Sequence, residues 1–206
     1  MKAMILAAGV GSRLDPITRN VPKPMVPILN QPVMEHIVRL LVKHGFNEIV
    51  CNTHYLADKI EDHFATRAGL GATMRFNREA ELLGTAGGLK RVAENFGFFD
   101  PNETFLVIGG DDLTEIDLSA MLEFHRKNNS LATIGLTRVE DPSQFGVVVT
   151  GKGGKIERFV EKPAPGTAPS NLVNTGVYLF EPRILEKIPS GVFYDFGKNV
   201  FPELLE

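Results

Sequence analysis

The 206-residue chain has no tryptophan, a single cysteine, no apolar run of membrane-spanning length and no large excess of charge. One cysteine excludes an internal disulfide framework and leads us to expect a reducing, cytoplasmic setting. Cys51 lies in the apolar run Ile49-Val-Cys51, where a small buried hydrophobe is expected rather than a nucleophile. Without a long apolar segment no membrane partner is expected, and the N-terminus reads as strand and loop rather than signal peptide. Net charge is −3, so no nucleic-acid partner is expected and a phosphorylated ligand must meet local positive charge. His36, His44, His54, His63 and His125 show no metal-ligand spacing, and no Ser/His/Asp or Cys/His set is evident.

What is present is an alternation of strand-like and helix-like segments. Residues 2–7, 48–53, 72–77, 104–109 and 131–138 read as strands. Residues 33–44, 57–66, 85–95 and 118–128 read as helices, with Val33, Ile37, Leu40 and Leu41 at helical spacing. This predicts a mainly parallel sheet with helices on both faces. Beyond about residue 141 the pattern turns to strands and turns: 146–150, 155–161 and 172–180, with a hairpin-like Gly151-Lys-Gly-Gly154. Residues 182–188 and 195–206 read as closing helices. One domain is expected, dividing in character at about residue 141.

The most informative stretch follows the first strand: Leu6-Ala-Ala-Gly-Val-Gly-Ser-Arg13, then Val21-Pro-Lys-Pro-Met25. Gly9 and Gly11 let backbone N–H groups approach an anion, and Arg13 and Lys23 supply the cations a polyphosphate needs. Leu14 stands where a dinucleotide fingerprint has its third glycine, and a Walker loop would need Gly-Lys-Ser/Thr. Taken alone, the stretch also reads as a surface glycine turn with solvated charges.

In an open α/β sheet, ligands gather beyond the carboxyl ends of the strands. Asp111-Asp112 falls there, after Phe105-Leu-Val-Ile-Gly-Gly110, and Asp111 suits a hard cation such as Mg²⁺ while Asp112 reads as a turn residue. Glu161-Lys162-Pro163 offers an acceptor for sugar hydroxyls and a cation for phosphate, or simply a charged turn. Asn174-Thr175-Gly176 offers an amide for a hydroxyl or for neighbouring backbone. Gly84-Thr85-Ala86-Gly87-Gly88 reads as a helix start with Thr85 as N-cap, its small residues leaving room for a flat base. Glu79, or equally Glu81, could accept from the N1–H and 2-amino donors of guanine, because an ionised carboxylate only accepts; both also read as solvated turn residues.

Five motifs in this order carry a resemblance. They are Leu6-Ala-Ala-Gly-x-Gly-x-Arg-Leu-x-Pro-x-Thr with Pro22-Lys-Pro, Leu83-Gly-Thr-Ala-Gly87, Gly110-Asp111, Phe159-Val-Glu-Lys-Pro163 and Asn174-Thr-Gly-Val-Tyr178. Together they resemble the nucleotide-sugar pyrophosphorylases, the sugar-1-phosphate nucleotidyltransferases, and most closely the mannose-1-phosphate guanylyltransferase type. The resemblance spans essentially the whole chain and implies a Rossmann-like, glycosyltransferase-A-type mixed sheet. It implies a nucleotide-binding part in residues 1–140 and a sugar-binding part in 141–206. The backbone of Leu6, Ala7, Ala8 and Gly9, with Gly84, would serve the base and ribose, and Gly11 and Arg13 would cradle the triphosphate. Glu79, from its chemistry, and Thr85 are expected among the nucleotide-binding residues. Lys23 would contact the phosphates and reacting centre, and Asp111 would hold Mg²⁺. Gly146, Glu161 and Asn174 would bind the sugar, with Lys162 on its phosphate and Thr175 adjacent.

The implied partners are a nucleoside triphosphate and a sugar 1-phosphate, with GTP and mannose 1-phosphate expected. UTP or dTTP, and a binding domain without turnover, are the alternatives. Oligomeric state is left open, a homo-oligomer included. Two departures stand out. Ala8 occupies a position where the family often has glycine, and the family's Trp-x-Asp-Ile-Gly-like motif, source of a second metal aspartate, does not occur before Glu206. The sequence is therefore expected to be C-terminally truncated or to have an incomplete metal site. Asp195 matches a helix-starting position and is not expected to replace that aspartate.

Overall fold

The computed structural model describes all of residues 1–206. In chain order it contains β1 (Lys2–Ala7), a two-residue-strand hairpin β2 (Pro27–Ile28) and β3 (Gln31–Pro32), α1 (Val33–Lys43), β4 (Glu48–Thr53), α2 (Ala57–Thr66) and β5 (Thr73–Arg78). Then come α3 (Gly84–Phe96), β6 (Phe105–Gly109), α4 (Leu118–Lys127), β7 (Ala132–Arg138), β8 (Gly146–Thr150), β9 (Ile156–Glu161) and β10 (Leu172–Phe180). The C-terminus is a 3-10 segment (Pro182–Lys187), a π turn (Phe196–Val200) and the single-turn α5 (Phe201–Glu203), in place of the two full helices expected from sequence. Pro182 and Pro202 stand in the first turn of their segments, where a missing N–H is tolerated, while Pro189 ends the first segment by holding Ile188 in extended backbone (φ −108°, ψ 117°).

Eight strands form one sheet in the order β5-β4-β1-β6-β10-β8-β9, with β7 on the other edge of β10. The first four are mutually parallel; β10 runs antiparallel to β6, β7 and β8. Strands β1 and β6 are apolar almost throughout, and β4 through Ile49–Cys51, because both faces are covered. Ala3, Ile5, Ile49, Cys51, Leu106 and Ile108 join one core with α1, α2 and α4. Met4, Val50, Phe105 and Val107 join the other, with α3 and the C-terminal phenylalanines. Cys51 is fully buried, and burial pushes its thiol pKa far up, as a core residue requires. Phe96, in the last turn of α3, is exposed although its spacing from Leu89 and Val92 would place it on the core face.

Strand β10 carries the irregularity that matters most. Between Asn174↔Leu136 and Tyr178↔Ile134 its pairing with β7 shifts register, and Gly176 there has φ +73°. A bulge of this kind bends a strand and re-aims side chains. It sits beside the carboxyl end of β6, where Val177 pairs with Ile108.

Helices α1 and α2 are tied by a buried carboxylate. Glu35 accepts from Arg39 Nη2 at 2.8 Å and Arg67 Nη2 at 2.9 Å, and lies 3.2 Å from His63 Nε2. Burial alone would raise the Glu35 pKa; the hydrogen bonds from Arg67, Arg39 and His63 outweigh it and bring the value down to about 2. A carboxylate depressed on folding stabilises above its unfolded pKa and ceases to as pH falls through the folded value. Wild type should therefore exceed Glu35→Gln in urea-unfolding free energy at neutral pH, by roughly 1–3 kcal/mol. That advantage should shrink below the ordinary glutamate value of 4.5 and vanish near 2. An advantage independent of pH would contradict this assignment.

Candidate active site

The carboxyl ends of β1, β4 and β6 open into a cleft of about 460 Å³. Its walls include Leu6, Ala7, Ala8, Gly9, Gly11 and Arg13 from the first loop, together with Lys23 and Asp111. Gly11 has φ +69°, and a Cβ there would come within 3.0 Å of Lys23 Cβ and 3.2 Å of Thr18 Cγ2. Thr18 Oγ1 donates to the Gly11 carbonyl at 3.0 Å and holds the turn. A Cβ at Gly9 would meet nothing within 4 Å, so this position is open toward the cleft. Arg13 makes no ion pair.

Asp111 reaches the same place because β6 lies directly beside β1. Gly110 N–H donates to the Leu6 carbonyl at 2.9 Å, and a Cβ on Gly110 would press within 3.0 Å of Ile5 and 3.1 Å of the Leu6 oxygen. Asp111 Oδ2 then pairs with Lys23 Nζ at 2.5 Å, both side chains being roughly three-quarters covered. Asp112 turns toward Gly176, and burial first, then the neighbouring Asp111 charge, raises its pKa against the pull of Lys23 and Arg13.

The far wall is a polar chain that the sequence did not disclose. Asn52 Oδ1 accepts from Ala7 N–H at 3.0 Å, and Asn52 Nδ2 donates to Glu79 Oε1 at 2.7 Å. Leu83 N–H approaches Glu79 Oε2 at 3.4 Å. Glu79 is buried and lines the cleft, whereas Glu81 is exposed and outside it. The equivalence of the two in sequence is thus broken by packing. Gly88 makes room for the pair, since its Cβ would lie 2.7 Å from Glu79 Oε1 and 2.9 Å from Asn52 Nδ2.

The start of α3 differs from expectation. Its N-cap is Leu83, with no side-chain capping bond, and Thr85 lies inside the first turn. Capping comes instead from a residue 108 and 107 positions away. Ala86 and Gly87 N–H groups both donate to the Tyr194 carbonyl at 3.0 Å, and Tyr194 N–H donates to the Leu83 carbonyl at 2.8 Å. Thr85 Oγ1 donates to Asp195 Oδ2 and accepts from Phe196 N–H, each at 2.9 Å. The small residues of this turn make room for backbone on one side, while Gly84 and Thr85 also line the cleft. A Cβ at Gly84 would lie 2.5 Å from Tyr194 O, and at Gly87 2.7 Å from Val192 O. Asp195 also caps the π turn, accepting from Gly197 N–H at 3.0 Å, which fits the helix-starting role expected of it.

The residues expected on the sugar side lie next to this cleft rather than within its lining; Tyr178 and Asp195 form the boundary. Gly146 pairs with Glu161 across β8 and β9. Glu161 Oε2 lies where a Cβ of Gly146 or Gly197 would intrude, at 2.9 and 2.6 Å. Burial raises the Glu161 pKa; Lys162 and Lys198 oppose it, and Asp195 adds to it. Asn174 is engaged inside its own bulge: Nδ2 donates to the Tyr178 hydroxyl at 2.8 Å and Oδ1 accepts from Gly176 N–H at 2.9 Å. Thr175 Oγ1 donates to the Gly135 carbonyl at 2.8 Å, fastening the bulge to β7. Lys162 is exposed, with φ +44° and its N–H on the Phe145 carbonyl. Asn52, Leu82, Tyr178, Phe193 and Asp195 join the cleft although sequence reasoning assigned them no ligand. The one usable sequence signal was Tyr178, which closes a quoted motif.

A second cavity of about 480 Å³ lies between β7, β9 and the C-terminal turn. Its lining is mainly apolar, with Lys152 and Lys155 as its only charges, and it offers no carboxylate to a metal.

Residues 2–206 match the Nucleotidyl transferase family model. The chain belongs to that family. It is 45% identical to the UTP–glucose-1-phosphate uridylyltransferase of Synechocystis sp., over all of this chain and 55% of that protein. It is 38% identical to the mannose-1-phosphate guanylyltransferase catalytic subunit beta of Danio rerio, over all of this chain and 56% of that one. The chain thus spans a little over half the length of these relatives. HddC from Yersinia pseudotuberculosis complexed with GMP-PN superposes with a TM-score of 0.80 at 27% identity, covering 98% of this chain and 85% of HddC. The expected glycosyltransferase-A-type α/β fold is therefore borne out. No helix is long and apolar enough to cross a membrane.

The two glycines make opposite predictions for stability. Gly84→Ala adds a Cβ against Tyr194 O at φ +75° and should cost about 1–3 kcal/mol in urea unfolding. Gly9→Ala enters open space and should stay within about 0.5 kcal/mol of wild type. Equal losses would show that the α3 contact with the 192–195 segment is not the constraint described.

Proposed function

We propose that this chain carries the catalytic cleft of a sugar-1-phosphate nucleotidyltransferase, producing a nucleoside diphosphate sugar and pyrophosphate. The observation that carries the proposal is the convergence of the open Gly9–Gly11 loop, Arg13, Lys23 and Asp111 on one cleft. A phosphate oxygen of the sugar 1-phosphate attacks the α-phosphorus of the triphosphate. The new P–O bond forms as the bond to the β-phosphate oxygen breaks, and pyrophosphate departs with the electron pair. A phosphate monoester loses its second proton near about pH 6, so no general base is needed. The protein's task is to bring two polyanions together and offset charge on the leaving group. Orientation of bound reactants is worth up to roughly 7–11 kcal/mol in such reactions.

Arg13 and the loop N–H groups meet the β- and γ-phosphates, and Lys23 exchanges its Asp111 partner for a phosphate oxygen. The cleft lining holds two cations, Arg13 and Lys23, against three carboxylates, Glu79, Asp111 and Asp195. A triphosphate entering such a balance needs a divalent cation with it. No group of three or more His, Cys, Asp or Glu side chains is arranged for a metal. The donor set suits Mg²⁺ held by Asp111 and substrate phosphates, the shared arrangement this ion favours. When bound, the ion supplies neutralisation of charge on the departing pyrophosphate. On the sugar side, Glu161 accepts hydroxyls beside Gly146, the Asn174 bulge shapes the wall and Lys162 reaches the sugar phosphate. Thr175 serves by fastening that bulge.

For the base we propose guanine, read by the acceptor-only Glu79 that Asn52 holds in place; mannose 1-phosphate is then the co-substrate. Uridine is the second reading, supported by the 45% identity to a uridylyltransferase. Thermal shifts with Mg²⁺ and GTP, UTP, dTTP, CTP or ATP separate them: the largest rise should come with GTP, and a larger one with UTP or dTTP removes the guanylyl reading. Lys23→Ala and Asp111→Asn should each lower pyrophosphate release by at least about 100-fold without unfolding the chain. Near-normal release by either variant overturns the proposal.

A further inference from the structure

Phe193 is 61% exposed, the second most exposed of the large apolar side chains after Leu29. It differs from Leu29 in lining the cleft, together with Leu82, which is itself 39% exposed. Its Cζ lies 3.2 Å from the position a Cβ on Gly84 would occupy, so the end of the ring rests against the α3 turn. The chain beside it is not loose. Tyr194 N–H and carbonyl pair with Leu83, Ala86 and Gly87, and Asp195 holds Thr85. A rigidly mounted aromatic ring facing a polar-floored cleft has a large apolar face that nothing in the chain covers. The wall of the cleft behind it carries Glu79 and Asn52, groups suited to the edge of a base but unable to cover its face.

We infer that Phe193 is a base-contacting residue, its ring packing against the face of the nucleotide's base at the mouth of the cleft. The inference rests on the nucleotide reading of the cleft given above. Glu79 reads the polar edge of the base and selects among bases, while Phe193 binds the π-face that every base presents. Loss of the ring therefore weakens all nucleotides together, without altering the phosphate site.

The experiment uses calorimetric titration of the full chain with Mg²⁺ and three probes: GTP, UTP and inorganic tripolyphosphate, which has no base. Wild type should bind at least one nucleotide. Phe193→Ala should bind each nucleotide that wild type binds about tenfold more weakly and bind tripolyphosphate equally well, with an unchanged unfolding midpoint. Because the chain has no tryptophan, Phe193→Trp supplies a single indole whose emission should be quenched by the nucleotides and not by tripolyphosphate. Wild-type nucleotide affinity in Phe193→Ala overturns the inference and leaves the cleft's nucleotide reading standing. An equal loss for tripolyphosphate also overturns it, by showing that the substitution disturbs the phosphate site. A wild-type chain that binds neither nucleotide removes the nucleotide reading and the inference with it.

Discussion

The site depends on the parallel pairing of β1 with β6. That pairing sends the exits of two buried strands to the same end of the sheet, and the Gly110-to-Leu6 hydrogen bond brings them within contact. Without it, the glycine loop after β1 and the carboxylate after β6 would have no common cleft. The crowding at Gly110 and Gly11 shows how closely the segments approach, and the Lys23–Asp111 ion pair is the product. In the absence of ligand this pair keeps a cation and a carboxylate satisfied in a partly covered place, where either alone would lose hydration. Both groups are thus held ready for partners of opposite charge.

A second constraint is the docking of residues 192–196 on the start of α3. The free N–H groups of a helix N-terminus commonly serve bound anions. Here two of them are taken by the Tyr194 carbonyl, which withdraws them from any ligand and leaves the α3 turn as a side wall of the cleft. The C-terminal aromatic cluster fixes this wall from behind: Tyr178, Phe196 and Phe201 pack with ring centroids between 5.2 and 5.8 Å apart, Phe196 and Phe201 stacked and Tyr178 tilted against both. The same Tyr178 turns its hydroxyl to Asn174 at the bulge of β10. One tyrosine thus links the core, the β10 bulge and the boundary between the two halves of the cleft.

Legibility in the sequence followed the range of the interactions. Strands β1, β4 and β6 were plain because burial on both faces leaves uninterrupted apolar runs, and α1 because its apolar positions repeat at helical spacing. The first loop, Lys23 and Asp111 were legible because short motifs fix them locally. The position of β10, antiparallel between β6 and β7, left no local trace. Thr85 was misread as an N-cap because its hydroxyl partner lies 110 residues away. Glu79 and Glu81 were indistinguishable as neighbours in a turn, and only the distant Asn52 amide separates them. Phe193 offered no periodicity at all.

The account stands on the phosphate tail lying in the first loop opposite Asp111. A crystal structure of the chain with Mg²⁺ and a non-hydrolysable GTP or UTP analogue tests it most directly. The expected density places the phosphates against the Gly9–Gly11 amides, Arg13 and Lys23, with the metal on Asp111. Phosphates bound in any other part of the molecule, with Lys23 still paired to Asp111, would contradict it.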